Sequence, residues 1–240
     1  MKPYQFTVII PVYNEVDNLL RVEQEMLAFI KVAIKKTTVL FINDGSNDGS
    51  LKMIVEICKR NSDFQYVSFD KNYGLSTALS AGFHQCKTEF LGYIDSDLQT
   101  SPSDFNLLLE HASDYDLITG VRRNRKDTLI KKTSSLIANN IRKVFTHDGM
   151  EDTGCPLKVI KTASAKNIPM FKGLHRFLPA MILLQNGQIK QVTVQHFPRI
   201  AGEAKYGVWN RLAGPLTDCF AYLWMKKKYI NYTLETTSNE

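Results

Sequence analysis

Along the first 120 residues, short apolar runs alternate with stretches whose apolar residues recur every three or four positions. "FTVII" (Phe6–Ile10) is a continuous run rich in β-branched residues, the pattern of a strand covered on both faces. Behind it, Leu19, Val22, Met26, Phe29, Ile30 and Ala33 form a stripe at helical spacing. The alternation then repeats. "TVLFIND" (Thr38–Asp44) predicts a second buried strand, and "GSNDGS" a capped turn into a helix from about Leu51 to Arg60. "FQYVSF" (Phe64–Phe69) predicts a third strand and Gly74–Cys86 a third helix, with further strands at "EFLGYID" (Glu89–Asp95) and "YDLITG" (Tyr115–Gly120). Strands alternating with helices imply an open α/β sheet, mainly parallel and flanked by helices. Ligands of such sheets bind beyond the carboxyl ends of the strands. The polar clusters "PVYNE", "NDGSNDGS", "KNYG" and "DSDLQ" each sit at one of those ends.

The second half is less regular. Thr128–Val144 carries Leu129, Ile130, Leu136, Ile137, Ile141 and Val144 between basic residues, the pattern of an amphipathic helix, and Gly187–Phe197 alternates like a strand with one wet face. Trp209, Leu212, Leu216, Phe220, Leu223 and Trp224, followed by Lys226–Lys228, form an amphipathic C-terminal segment. Aromatic anchors with terminal lysines suit a membrane interface, and the same stripe suits packing on the domain. No run reaches the roughly 18 apolar residues of a membrane-spanning helix. The first apolar run is ended by Pro11, so no signal peptide is expected.

Composition adds one discriminating fact. The 240 residues are 44% apolar and 22% charged, ordinary for a globular chain with a substantial core. The net charge of +6 favours an anionic partner. Between Val121 and Lys143, eight basic residues face only Asp127, so the excess charge is local and the remainder is near neutral. No aromatic residues interleave with this segment, which argues against nucleic acid. The four cysteines are far apart with no CxxC pair, as in a cytosolic protein with reduced thiols. No GxGxxG follows the first strand, which argues against a nicotinamide-dependent dehydrogenase.

The stretch "DSDLQ" is the chemical centre of the pattern. If strand geometry persists past Asp95, then Asp95, Asp97 and Gln99 point to one side. Two carboxylates and an amide carbonyl make an oxygen-rich site for Mg²⁺ or Mn²⁺. Alternatively, Asp95 caps a turn and Asp97 is solvated. A lone DxD is a weak signal, and its position at a strand end, in line with three other polar ends, favours the metal.

"TVIIPVYNE", "INDGSNDGS", "KNYGLSTALSAGF" and "DSDLQTSP" resemble the nucleotide-sugar half of inverting family 2 glycosyltransferases with the GT-A (Rossmann-like) fold. "ITGVRRNRKDT", "DTGCPLKV" and "RIAGEAKYG" resemble the polyprenyl-phosphate branch, the dolichyl-phosphate mannosyltransferases and undecaprenyl-phosphate sugar transferases. The resemblance implies a nucleotide-sugar pocket at Pro11, Tyr13, Glu15, Asp44, Asp95 and Ser96, and a metal held by Asp95, Asp97 and Gln99 that bridges the donor phosphates. It implies that Arg122, Lys131, Ser135 and Arg199 hold the acceptor phosphate, with Arg123 and Arg125 assisting and Lys132 a near neighbour. Asp152 lies where hydroxyl-directed relatives keep a catalytic base. A phosphate acceptor, already anionic near neutral pH, needs no strong base, so Asp152 is assigned to positioning. Asn43, Ser96, Ala204 and Leu75 depart from the family pattern and bear on donor choice.

The expected protein is therefore a metal-dependent transferase moving a sugar from a UDP- or GDP-sugar to a polyprenyl phosphate. Residues 1–207 would form the GT-A domain, with a donor half to about 120 and an acceptor half from 121, and 208–240 the amphipathic segment. It would be cytoplasmic and peripheral on the cytoplasmic membrane face, with a small integral membrane protein as a candidate partner. Two other readings stand: a soluble transferase acting on a saccharide hydroxyl with Asp152 as base, and an inactive nucleotide-sugar-binding subunit of a membrane complex.

Overall fold

The computed structural model describes residues 3–123, 142–198 and 213–232. Seven strands form one sheet in the order β3-β2-β1-β4-β6-β5-β7. The first half follows the expected alternation: β1 (Phe6–Val12), α1 (Val16–Val32), β2 (Thr37–Asn43), α2 (Ser50–Arg60), β3 (Phe64–Ser68), α3 (Leu75–Gln85) and β4 (Phe90–Tyr93). A short 3₁₀ turn and α4 (Phe105–Leu109) then lead to β5 (Leu117–Arg122). Strands β1 to β4 pair in parallel.

The reason these runs are continuously apolar is that both faces of the central strands are covered. Val8 and Ile10 of β1 pack with Leu19, Val22, Met26 and Phe29 of α1 and with Phe105 of α4. Ile9, between them, packs on the other face with Ala78, Leu79 and Phe83 of α3. The Phe105 ring meets Phe6 edge-on at 5.3 Å and Phe29 at 5.7 Å. Fully burying such a side chain contributes about 1.5–3 kcal/mol, so these layers fix the register that brings the strand ends into line. Pro11 sits within β1 where pairing with β4 has already ended at Ile9↔Tyr93, so its missing N–H costs no bond on that side.

The second half departs from a simple parallel reading. β6 (Lys158–Lys161) lies between β4 and β5 and runs antiparallel to both. It is followed by α5 (Thr162–Lys166), α6 (Leu178–Leu184), β7 (Ile189–Val194) and α7 (Ala213–Lys228). β7 pairs in parallel with β5 and closes the sheet. Because β6 is reversed, its start lies at the same edge as the ends of β4 and β5. The chain segments following β1, β2, β4, β5 and β7 and preceding β6 therefore converge on one edge. Residues 142–146 are helical, and the rest of the helix expected over Thr128–Val144 lies outside the described residues. The four cysteines are free thiols. Burial pushes the Cys155 thiol up to about 11, so it stays protonated and unreactive at neutral pH.

Candidate functional site

Asp44, at the end of β2, organises the loops that follow β1, β2 and β3. Its backbone N–H donates to Val12 O at 2.8 Å, locking it beside β1. Its buried carboxylate accepts from the Tyr73 N–H at 2.7 Å, the Gly74 N–H at 2.9 Å and Asn72 Nδ2 at 2.9 Å. A carboxylate has about four acceptor positions, and three are spent on shaping the entry to α3. Gly45 next to it adopts φ +66°, and a Cβ there would sit 2.1 Å from the Lys71 carbonyl carbon. Only glycine allows the two loops to approach so closely.

The loop after β1 is stitched to the loop after β2. Asn14 is left-handed at φ 52°. Its N–H donates to Ser46 Oγ at 3.0 Å and its Oδ1 accepts from the Asn47 N–H at 2.9 Å. The Glu15 N–H donates to Ser50 Oγ at 3.0 Å, and Glu15 Oε2 accepts from Asn18 Nδ2 at 2.6 Å. Asp48 accepts from Ser50 and from the Val16 N–H. Burial raises its pKa, but these hydrogen bonds outweigh burial and leave it below the usual range. Pro11, Tyr13 and Glu15 thus lie half-buried on a fixed rim beside Asp44.

The strand geometry expected past Asp95 is not what the chain adopts. β4 ends at Tyr93, and residues 95–98 form a turn closed by the Leu98 N–H to Asp95 O at 3.1 Å. Leu98 is left-handed at φ 47°, unusual for a leucine. Its burial in the core offsets that strain, and Arg21 donates to the Asp97 and Leu98 carbonyls at 3.4 Å. The three oxygen-bearing side chains are therefore presented by a turn and not by one face of a strand. Asp95 is half-buried, Ser96 and Asp97 are buried, and Asp97 Oδ1 accepts from the Gln99 N–H at 3.3 Å. The Gln99 carbonyl in turn accepts from the Phe197 N–H at 2.8 Å and lies 3.1 Å from His196 Nδ1.

The donor set of this turn is hard: two carboxylate side chains and one amide oxygen, which fits Mg²⁺ or Mn²⁺. Among the described residues, no group of three or more His, Cys, Asp or Glu side chains is placed to hold a metal. A divalent cation here would be held by Asp95, Asp97 and Gln99.

At the same edge of the sheet, β5 ends in Arg122. Its Nε and Nη2 donate to the two oxygens of Asp152 at 2.7 and 2.8 Å, and its backbone N–H reaches Oδ2 at 3.3 Å. The side chains are 11% and 7% exposed. This bidentate pair fixes the guanidinium plane. It also occupies both oxygens of Asp152, the arrangement expected of a positioning carboxylate and unfavourable for a base. Arg123 is exposed. Arg125, Lys131, Lys132, Ser135, Arg199 and Ala204 lie outside the described residues.

Two residues at this edge were not foreseen. His196 is placed there just past β7, and its only sequence signal is its place near the end of the alternating Gly187–Phe197 stretch. Lys158 opens β6 and is fully buried; it stands within the "DTGCPLKV" stretch, where nothing marked it for a role.

A parallel-dominated sheet with polar loops, an acidic turn and a buried Arg–Asp pair on one edge defines a GT-A-type α/β fold. The profile of Glycosyl transferase family 2 matches residues 7–166, and the chain belongs to that family. It is 30% identical over 210 residues to an undecaprenyl-phosphate 4-deoxy-4-formamido-L-arabinose transferase of Edwardsiella ictaluri, covering 86% of this chain and 65% of that protein. It is 30% identical over 221 residues to the protein of the same name from Pseudomonas fluorescens, covering 89% and 64%. The chain thus spans just under two thirds of the length of these relatives. The fold is also that of glucosyl-3-phosphoglycerate synthase from Mycobacterium tuberculosis in complex with Mn²⁺, UDP and glucosyl-3-phosphoglycerate. That match has TM-score 0.70 and 14% identity, over 93% of this chain and 80% of the other. A mannosyltransferase from Pyrobaculum calidifontis in complex with GDP-Man and Mn²⁺ matches with TM-score 0.64 and 17% identity, over 92% and 67%.

Proposed function

We propose that the protein transfers a sugar, with inversion and metal assistance, from a UDP- or GDP-sugar to a polyprenyl phosphate at a membrane surface. The observation that carries this reading is the Arg122–Asp152 pair at the same sheet edge as the Asp95–Gln99 turn. The carboxylate that a hydroxyl acceptor would need as a base is committed to an arginine, and the arginine suits an anionic acceptor. The names of the two relatives, both undecaprenyl-phosphate transferases, support the same acceptor.

In this reading Pro11, Tyr13, Glu15 and Asp44 bound the nucleotide, and Ser96 borders the donor sugar. Asp95, Asp97 and Gln99 would hold the divalent cation, which supplies charge neutralisation for the departing nucleoside diphosphate. Arg122, with Lys131, Ser135 and Arg199, orients the acceptor phosphate. A phosphate monoester has a second pKa of about 6, so its oxygen attacks the anomeric carbon without losing a proton to a base. The new carbon–oxygen bond forms on the face opposite the breaking bond to the diphosphate, and the chain's main contribution is alignment.

No helix among the described residues is long and apolar enough to cross a membrane. On α7, Phe220 and Trp224 are 58% and 65% exposed one turn apart, and Lys226, Lys227 and Lys228 follow, also exposed. Such a face suits lipid headgroups, while Cys219 and Tyr222 on the opposite side bind α7 to the core.

The test is transfer of radiolabel from a panel of UDP- and GDP-sugars to undecaprenyl and dolichyl phosphate, with and without Mn²⁺. An organic-soluble product that disappears with EDTA and in Arg122→Ala is expected. Metal-dependent donor hydrolysis without lipid product would move the acceptor to a saccharide hydroxyl. No turnover of any donor would leave a binding subunit.

A further inference from the structure

Lys158 has no part in the chemistry above, yet it lies beneath it. It is the first residue of β6, paired with Tyr93 of β4 and Thr119 of β5, and it is 0% exposed. Its Nζ donates to the Thr153 carbonyl at 3.3 Å, to the Cys155 carbonyl and to the Tyr93 hydroxyl oxygen at 3.4 Å. It also lies 5.3 Å from the centre of the Tyr93 ring. These partners are neutral. A fully buried ammonium held only by neutral groups carries a desolvation cost of several kcal/mol. Burial accordingly pulls its pKa down, with Cys155, Asp152 and Asp95 opposing and Arg122 adding to the shift. An apolar side chain at the centre of this sheet would avoid that cost, so packing alone does not ask for a lysine.

What the ammonium does is hold a turn. Residues 152–155 are closed by the Cys155 N–H to Asp152 O at 3.3 Å. Lys158 grips the Thr153 and Cys155 carbonyls from inside the fold, while Asp152, heading the same turn, grips Arg122 with both oxygens. The turn is thus anchored on one side by a buried cation and presents its carboxylate on the other. We propose that Lys158 is a positioning residue: it fixes the 152–155 turn and, through Asp152, the orientation of the Arg122 guanidinium at the reactive edge. The link to turnover rests on the proposed transferase function; the link to Arg122 does not.

The experiment uses the full chain and compares wild type with Lys158→Met. The Arg122 Nε–H resonance, assigned by its loss in Arg122→Lys, reports the bidentate pair through its hydrogen exchange. Turnover with the donor and lipid found active in the transfer panel reports the consequence. In folded Lys158→Met, exchange of the Arg122 Nε–H is expected to quicken at least about tenfold. The kcat should fall about 100-fold, the order of loss for a small misplacement of a reacting group, with donor KM within about twofold of wild type. Exchange and kcat both as in wild type would overturn the proposal. So would faster exchange with unchanged kcat, because Arg122 would then not need to be held. If wild type transfers no sugar, the proposed function fails, and Nε–H exchange still decides whether Lys158 holds Arg122. Should Lys158→Met not fold, Lys158→Gln, which keeps a donor for one carbonyl, is read in the same way. If neither folds, Lys158 is a folding residue and the positioning role falls.

Discussion

Asp44→Asn separates a carboxylate that shapes a loop from one that simply sits in the core. In the native structure its two oxygens accept two backbone N–H groups, from Tyr73 and Gly74, at 2.7 and 2.9 Å, plus the Asn72 amide. Hydrogen bonds to a charged acceptor contribute about 1.5–3 kcal/mol each. Asparagine keeps one acceptor and places an NH₂ group against the other donor, so at least one backbone bond is lost. Tyr73 is exposed, and water recovers part of the loss, which leaves about 1.5–2 kcal/mol. At about 1.4 kcal/mol per tenfold, the loop then opens roughly 10–30-fold more often. Native-state hydrogen exchange is the assay. Protection at Tyr73 and Gly74 should fall by that factor, while amides of β1 and β2 keep theirs, because opening is local. Unchanged protection at 73 and 74 would refute the role given to the carboxylate. A uniform fall across the sheet would show that Asp44 stabilises the core instead.

Other substitutions probe the remaining parts. Asp152→Asn should lower transfer about 10–100-fold with donor binding retained, as misplacement does; a loss beyond about 10⁴-fold with intact binding and thermal stability would make Asp152 a base. Asp95→Asn and Asp97→Asn should each abolish the Mn²⁺-induced change in donor affinity measured by calorimetry, and a wild-type response in either would remove that residue from the metal site. Gly45→Ala forces a Cβ to 2.1 Å from the Lys71 carbonyl carbon, so the two loops must separate; a thermal midpoint and donor affinity equal to wild type would contradict the close approach. Glu23→Gln tests a pH dependence. Hydrogen bonds from Arg60 hold the Glu23 carboxyl below its usual range against the effect of burial, and Asn61 adds to them. A depressed folded pKa means stabilisation that is present above the unfolded value and lost as pH falls through the folded one. The urea-midpoint gap between wild type and variant should be open at neutral pH and close below about pH 4.

The first half was legible because its strands are covered on both faces and its helices on one, which writes two distinct periods into the chain. The end of β4 was misread for a definite reason. Alternation predicts direction only while the backbone stays extended, and Leu98, an ordinary apolar residue, turns left-handed there because its side chain finds the core. β6 was missed because only four residues form it and both ends are lysines, which reads as a loop. The Arg122–Asp152 pair could not be read from sequence at all, since its partners are thirty positions apart and meet only because β6 is reversed. Asp44 was foreseen as a site residue, but its role in holding residues 72–74 needed the loop geometry.

The reversal of β6 also bears on how such a molecule can change. A chain that leaves β5 and re-enters at the start of β6 departs and returns on the same side of the sheet, across neighbouring strands. The connection between them, residues 123–157, begins and ends at neighbouring strands of the sheet. A change of length within this connection, ahead of the core residues Cys155 and Leu157, need not shift the register of β5 or β6. On the proposed function, exchanging this connection between relatives, with Arg122 and the 152–155 turn kept, is the economical way to redirect the molecule toward a different acceptor.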